Sequence, residues 1–249
     1  MDVAILTVGD ELLAGDTENT NATWLCRQLS ARGASVRRVL VVPDEHETIA
    51  DYVREWRAAY DAVLVTGGLG GTHDDVTMDA VAAGADRPLV VPDAAREAVE
   101  RAARAYRESN PETAARFELD LDVEAWASVP EGARVLANDP GLSPGANVPA
   151  EDGLGAVYVF PGVPAELRAM FESVADDFGG DVVSRTVHTD APEGALASDL
   201  AAVRDEFDVA VGSYPDSAGP NRLKVTGEDA EAVEEALAAL AERVSTVEE

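Results

Sequence analysis

The stretch TGGLGGTHDD, Thr66 to Asp75, sets a four-glycine turn directly against two adjacent aspartates. Gly67, Gly68, Gly70 and Gly71 leave the backbone around Leu69 bare of side chains. Successive N–H groups from Thr66 to Thr72 can then turn toward one anion, and a helix opening just beyond adds its positive end. That is chemistry suited to a phosphate. The pattern is neither the dinucleotide fingerprint nor the P-loop, because no GK[ST] follows. Asp74 and Asp75 have a simple reading as helix-start residues that favour the dipole. With Asp44 in VVPDE and Glu11 in GDELL, however, four carboxylates stand at predicted strand ends, and such a group repels itself without a cation. Magnesium is typically held by one or two carboxylates together with phosphate oxygens. Asp44, Asp74, Asp75 and Glu11 are therefore the expected ligands of magnesium or another divalent cation. His73 reads as a solvent-facing neighbour, with proton transfer as its alternative role.

Three further segments carry the same kind of composition. In GDELLAGDTENTN, helix capping by Asn19, Thr20 or Asn21 accounts for one polar residue. It does not account for Gly9, Glu11 and Gly15 beside three capping candidates, so Gly9, Glu11 and Asn21 are expected to touch a ligand. NDPGLSPGANV (138 to 148) and VFPGVPAELRAM (159 to 170) are both rich in proline and glycine. Pro161, Gly162 and Pro164 make a stiff turn before a helix whose first turn holds Glu166. A turn closed by a dipole-compatible acid and a ligand contact are both open there; Asn138, Gly145, Pro161, Gly162 and Glu166 are the candidates.

The elements that must position these loops alternate. VAILTV (3 to 8), SVRRVLVVP (35 to 43), AVLVT (62 to 66), ARVLAN (133 to 138) and GAVYVFPG (155 to 162) read as strands. Amphipathic helices are expected over about 20 to 32, 45 to 60, from about 74, and over about 163 to 178. Such alternation predicts an α/β fold, three α/β/α layers around a mostly parallel sheet, and ligands of such sheets lie outside the carboxyl ends of the strands. Residues 88 to 126 break the rhythm with a short extended piece and one long helix, an insertion on the sheet. After Gly179 and Gly180 comes a small α+β unit, 181 to 249, read as strand, helix, two strands and helix.

Composition excludes several classes. The 249 residues carry 48 acidic against 19 basic side chains, a net charge of −29, and Lys224 is the single lysine. At about 1 M salt the screening length falls to about 3 Å, so the charge reads as halophilic adaptation to a salty cytoplasm. Acidic surfaces repel nucleic-acid phosphates and anionic lipids, so neither nucleic acid nor membrane is an expected partner. No membrane span or signal peptide is visible, and a cytoplasmic location is expected. Cys26, the lone cysteine, reads as a small hydrophobe within a helix.

GDELLAGDTENTN, TGGLGGTHDDVT, NDPGLSPG and FPGVPAELRAM, in this order, resemble the CinA (competence/damage-inducible) family. Its main domain is the molybdopterin-binding fold shared with the MoaB and MogA proteins. The resemblance covers residues 1 to 178, and the tail is similar to the KH-like domain that follows in that family. It implies binding of a phosphorylated nucleotide or pterin at the glycine loop, Thr66 to Thr72 with Leu69 at its centre. It also implies metal-dependent hydrolysis of ADP-ribose or a similar dinucleotide, with Asp44, Asp74 and Asp75 as catalytic residues. The alternatives are adenylyl transfer to molybdopterin, and non-catalytic binding of molybdopterin or a nucleotide. A homo-oligomer, dimer or trimer, is implied as well. Two departures stand out. Gly71 occupies a position where the family usually has proline, and the 249 residues hold no counterpart of the carboxy-terminal amidase domain of many bacterial members, so nicotinamide mononucleotide deamidation is not an expectation from them. RNA binding by the tail is not expected either, since residues 181 to 249 hold 16 acids against 5 bases and no GxxG loop.

Overall fold

The computed structural model describes residues 1–71, 75–112, 122–215 and 219–247. Two compact units divide the chain, the first formed by Met1–Ala31 with Ser35–Gly179 and the second by Arg32–Ala34 with Gly180–Glu249.

In the first unit, β1 (Asp2–Val8), β2 (Ser35–Val42), β3 (Ala62–Thr66) and β8 (Ala156–Phe160) form a parallel array in the order β2-β1-β3-β8. β7 (Gly145–Val148) and β6 (Arg134–Leu136) extend it antiparallel beyond β8. Every residue of β3 and β8 is buried, which is why AVLVT and AVYVF read as unbroken apolar runs: a parallel strand covered on both faces has no side for solvent. Side chains nevertheless sort by the two-residue period. Val157 and Val159 join Ala4, Leu6, Val63 and Val65 in a cluster with Ile49, Val53 and Trp56 of the helix His46–Arg57. Tyr158 and Phe160 point the other way. There Phe160 meets Phe171 of the helix Pro164–Glu172, and Phe171 meets Trp24 of the helix Thr20–Ala31, with ring centroids 6.2 and 5.3 Å apart. Side chains as fully buried as Phe160 and Ile5 each contribute roughly 1.5–3 kcal/mol relative to exposure.

Two expectations are corrected. The segment NDPGLSPGANVPAEDG, 138 to 153, expected as an irregular loop, is not wholly irregular, because Gly145–Val148 forms β7 between β8 and β6. The helix expected from about Asp74 begins at Thr77, with Val76 as a cap that supplies no side-chain bond. The insertion is closed at its base by a two-stranded sheet, β4 (Leu89–Val90) against β5 (Val129–Pro130). It carries the helix Asp93–Ser109 and the short helix Val123–Trp126, packed through Ala95, Val99 and Ala127.

The second unit runs β9 (Val183–Thr189), helix Glu193–Glu206, β10 (Ala210–Tyr214), β11 (Asn221–Gly227), helix Ala230–Arg243 and β12 (Thr246–Val247). All its pairings are antiparallel, in the order β10-β11-β9-β12. The α+β unit thus takes the β-α-β-β-α-β succession of the ferredoxin-like motif. Its core is Leu196, Val203, Leu223, Val225, Val233, Ala236 and Leu240. The short closing strand β12 carries no periodicity long enough to be seen in sequence.

Candidate functional site

The carboxyl ends of β1, β2, β3 and β8 meet on one edge of the sheet, and the candidate loops hang from them. Thr66, the last residue of β3, is fully buried and donates from Oγ1 to the carbonyl of Pro161 at 3.0 Å. Gly67 follows at φ 104°, so close to the carbonyl of Val8 that a β-carbon would collide with it; glycine is required there by conformation and by space. Asn21 Nδ2 donates to the carbonyl of Gly162 at 2.6 Å. Ser143 Oγ donates to the carbonyl of Leu69, and Asn138 Nδ2 donates to the Ser143 carbonyl and to Glu166 Oε2, at 2.8 and 2.7 Å. Four segments far apart in sequence are thereby joined into one wall. Thr66, Asn21 and Asn138 act as its fasteners, and Glu166 both fastens and lines it.

Two adjoining cavities open on that wall. The larger, about 480 Å³, is bounded by Gly68, Leu69, Gly70 and Asp75 on one side and by Pro140 to Ser143, Pro161, Gly162 and Glu166 on the other. Tyr106 and Trp126, from the insertion, complete it. The smaller, about 90 Å³, is lined by Glu11, Asn21, Thr66, Gly67 and Gly162 among others. Gly162 belongs to both.

Two amides of the glycine loop are engaged within the chain, Gly67 N donating to the Phe160 carbonyl at 3.2 Å and Gly70 N to a carboxylate. Gly70 N donates to Asp75 Oδ1 at 2.8 Å, and Thr77 N donates to the Gly68 carbonyl at 3.3 Å. Asp44 Oδ2 accepts the N–H of Asp10 at 2.9 Å while its other oxygen lies beside Gly68. Asp44 and Asp75 thus approach the loop at Gly68 and Gly70. Thr77 is fully buried close to Gly68, and among the described residues neither its Oγ1 nor the buried Asn138 Oδ1 has a hydrogen-bond partner.

Several expectations change on this geometry. The Glu11 carboxylate folds back against Gly9. Among the described residues no three acidic, histidine or cysteine side chains gather as a metal site. Asp74, one of the four carboxylates expected to hold a divalent cation, lies outside the described residues, as do Thr72 and His73. Gly145 is buried in β7 against Met170 Sδ and the Val159 carbonyl, where a side chain would not fit, so packing alone accounts for glycine there. Gly9 serves the sheet, its N–H donating to the Val42 carbonyl at 3.1 Å. At Gly71 the indole of Trp126 fills the place of a β-carbon. Asn19 is the cap in its segment, its Oδ1 accepting the N–H of Ala22 at 3.1 Å. Cys26 is half-buried, and burial pushes its thiol up, against reactivity. Ser143, Tyr106 and Trp126 were not singled out in sequence. SPG around Ser143 offered a polar signal; the two aromatics offered none at such distance from the loop.

The family model described as "Probable molybdopterin binding domain" matches residues 4–178, and "FAD synthase, middle domain" matches 181–248. A protein of Archaeoglobus fulgidus is 36% identical over 239 residues, 95% of either chain. A CinA-like protein of Frankia casuarinae is 37% identical over 91% of this chain, which spans 53% of its length. Among solved structures, the protein CinA of Thermoplasma acidophilum, described as of unknown function, superposes with a TM-score of 0.62 at 29% identity, covering 72% of this chain and 99% of its own.

Proposed function

Because the chain belongs to the molybdopterin-binding domain family as a CinA-like member, we propose that its cleft binds the phosphate end of a pterin or nucleotide. We propose further that it hydrolyses the anhydride of a dinucleotide of the ADP-ribose kind. The observation that carries this reading is the hydrogen bond from Gly70 N to Asp75 Oδ1 at 2.8 Å. A backbone amide of the glycine loop is aimed at an anionic oxygen, and the carboxylate stands where a phosphate oxygen would sit.

An incoming phosphate competes with Asp75 for that amide. Once displaced, the carboxylate remains beside the bound phosphate, where it orients a water and takes its proton. The water oxygen bonds to phosphorus as the bridging P–O bond breaks, giving AMP and ribose 5-phosphate from ADP-ribose. Loop N–H groups stabilise the charge that develops on the phosphoryl oxygens. Asn138 and Ser143 do not touch the reacting atoms; they hold Glu166 and the Leu69 carbonyl, and so the width of the cleft.

The experiment is incubation with ADP-ribose at molar salt, with and without magnesium, followed by separation of phosphate products. AMP with ribose 5-phosphate supports hydrolysis. A thermal shift without product leaves binding and overturns the hydrolytic half; neither shift nor product overturns both.

A further inference from the structure

The larger cavity has one wall that the phosphate reading does not use. Tyr106 sits near the end of the helix Asp93–Ser109 and Trp126 closes the helix Val123–Trp126, so the insertion supplies both. Trp126 is half-buried, packed on Ala95, Val99 and Ala127. Tyr106 is 41% exposed, and Val163 across the cavity is 53% exposed. Large apolar side chains left open at the mouth of a concave site are a feature of ligand pockets. The indole lies along the glycine loop itself: atoms Cζ2, Cε2 and Nε1 of Trp126 fill the space that a β-carbon on residue 71 would need. Gly71 and Trp126 therefore form one feature. A proline at 71, which carries a β-carbon, excludes the indole from this position, and glycine admits it.

We infer that Tyr106 and Trp126 form a stacking wall for the fused planar ring of the ligand, a purine or a pterin. The inference rests on the phosphate reading above and deepens it. The amides at Gly68 to Gly70 hold the phosphate, and the ring lies toward the next residue of the loop, on the aromatic side. Aromatic stacking tolerates any flat heterocycle, because each presents a π-face. The wall thus selects for the presence of a fused ring rather than for its hydrogen-bonding pattern.

The test compares AMP with ribose 5-phosphate, which shares the sugar phosphate and lacks the ring, by calorimetry on the full chain at molar salt. The expected result is tighter binding of AMP. In Trp126→Ala and in Tyr106→Ala the AMP affinity falls about 5- to 30-fold, within the range for loss of one stacking contact, while ribose 5-phosphate binds within about twofold of the parent. Tyr106 is exposed enough for its variant to fold whatever becomes of Trp126. Gly71→Ala, which leaves Trp126 in the chain and denies it this place, is expected to behave as Trp126→Ala does. Equal affinities in the parent, or variants that weaken both probes alike, overturn the stacking wall and leave the phosphate site standing. No binding of either probe overturns the phosphate site and the wall with it.

Discussion

The amide of Gly70 donates to Oδ1 of Asp75 at 2.8 Å, so the loop built to take an anion already holds one from its own chain. Asn at 75 keeps an oxygen for that amide and removes the charge. Asp75→Asn is therefore expected to bind AMP or inorganic pyrophosphate about 3- to 10-fold more tightly, the effect of roughly one kcal/mol of relieved repulsion. Turnover of ADP-ribose should fall at least about 100-fold, the lower end of the range for loss of a general base. Calorimetry and product assays read the two separately, and unchanged affinity with unchanged turnover removes Asp75 from the site.

Arg57 is 2% exposed and has carbonyl oxygens around its guanidinium, with Gly155 at 3.0 Å from Nε, Ala85 at 3.4 Å from Nη1 and Pro149 at 3.5 Å from Nη2. It ties the helix His46–Arg57 to the residue before β8 and to the end of the helix Thr77–Gly84. Arg57→Met keeps most of the aliphatic stem and abandons those acceptors. Removing one partner from a buried charged hydrogen-bond set costs about 2–4 kcal/mol. Urea unfolding monitored by tryptophan fluorescence should show that loss, and a midpoint unchanged from the parent would mean that water replaces the guanidinium.

What was legible in sequence follows from where each signal resides. β1, β3 and β8 were readable because burial on both faces leaves an unbroken apolar run, and four glycines before two aspartates marked the loop. β7 was hidden: GANV offers two apolar residues beside a proline-rich loop, and its strand character comes from pairing with β8 and β6. The helix start was misplaced because two acids look like a first turn, whereas Asp75 is engaged by Gly70. Trp126 and Gly71 are 55 positions apart, and no local pattern announces that a ring fills the place of a missing β-carbon. Fasteners such as Asn138 with Glu166 read as candidate ligands because a buried polar residue at a strand end looks the same in sequence whichever role it has.

Tyr158 is buried in β8 and donates to Asp177 Oδ2 at 3.1 Å. Burial, and then the neighbouring carboxylate, push its phenol well above the ordinary value of about 10. A raised pKa in the folded state means that the associated stability is complete below about pH 10, where both states are neutral. It is lost as pH rises beyond that, because the unfolded phenol ionises first. Tyr158→Phe has no proton to lose. Its stability should decline less steeply than the parent's between about pH 10 and 11, at the cost of one hydrogen bond at pH 7, about 0.5–1.5 kcal/mol. Parallel alkaline limbs in the two proteins would remove Tyr158 as the cause.

With a net charge of −29, the balance between repulsion and ion pairing decides how the fold responds to salt. Pairs such as Arg37 with Asp2 and Arg185 with Glu234 are exposed, and each is worth about 0–1 kcal/mol. Screening removes that small gain, and it also removes the much more numerous repulsions among acids, as the screening length contracts from about 10 Å at 0.1 M to about 3 Å at 1 M. Repulsion is the larger quantity, so the melting temperature at pH 7 should rise by several degrees between 0.1 and 1 M KCl. A general effect of salt on burial would act at any pH, whereas relief of repulsion needs net charge. The rise should therefore shrink toward zero near the isoelectric point of about 4.2. A melting temperature that falls with KCl at pH 7 would show that ion pairs dominate, and an equal rise at both pH values would assign the effect to burial instead of charge.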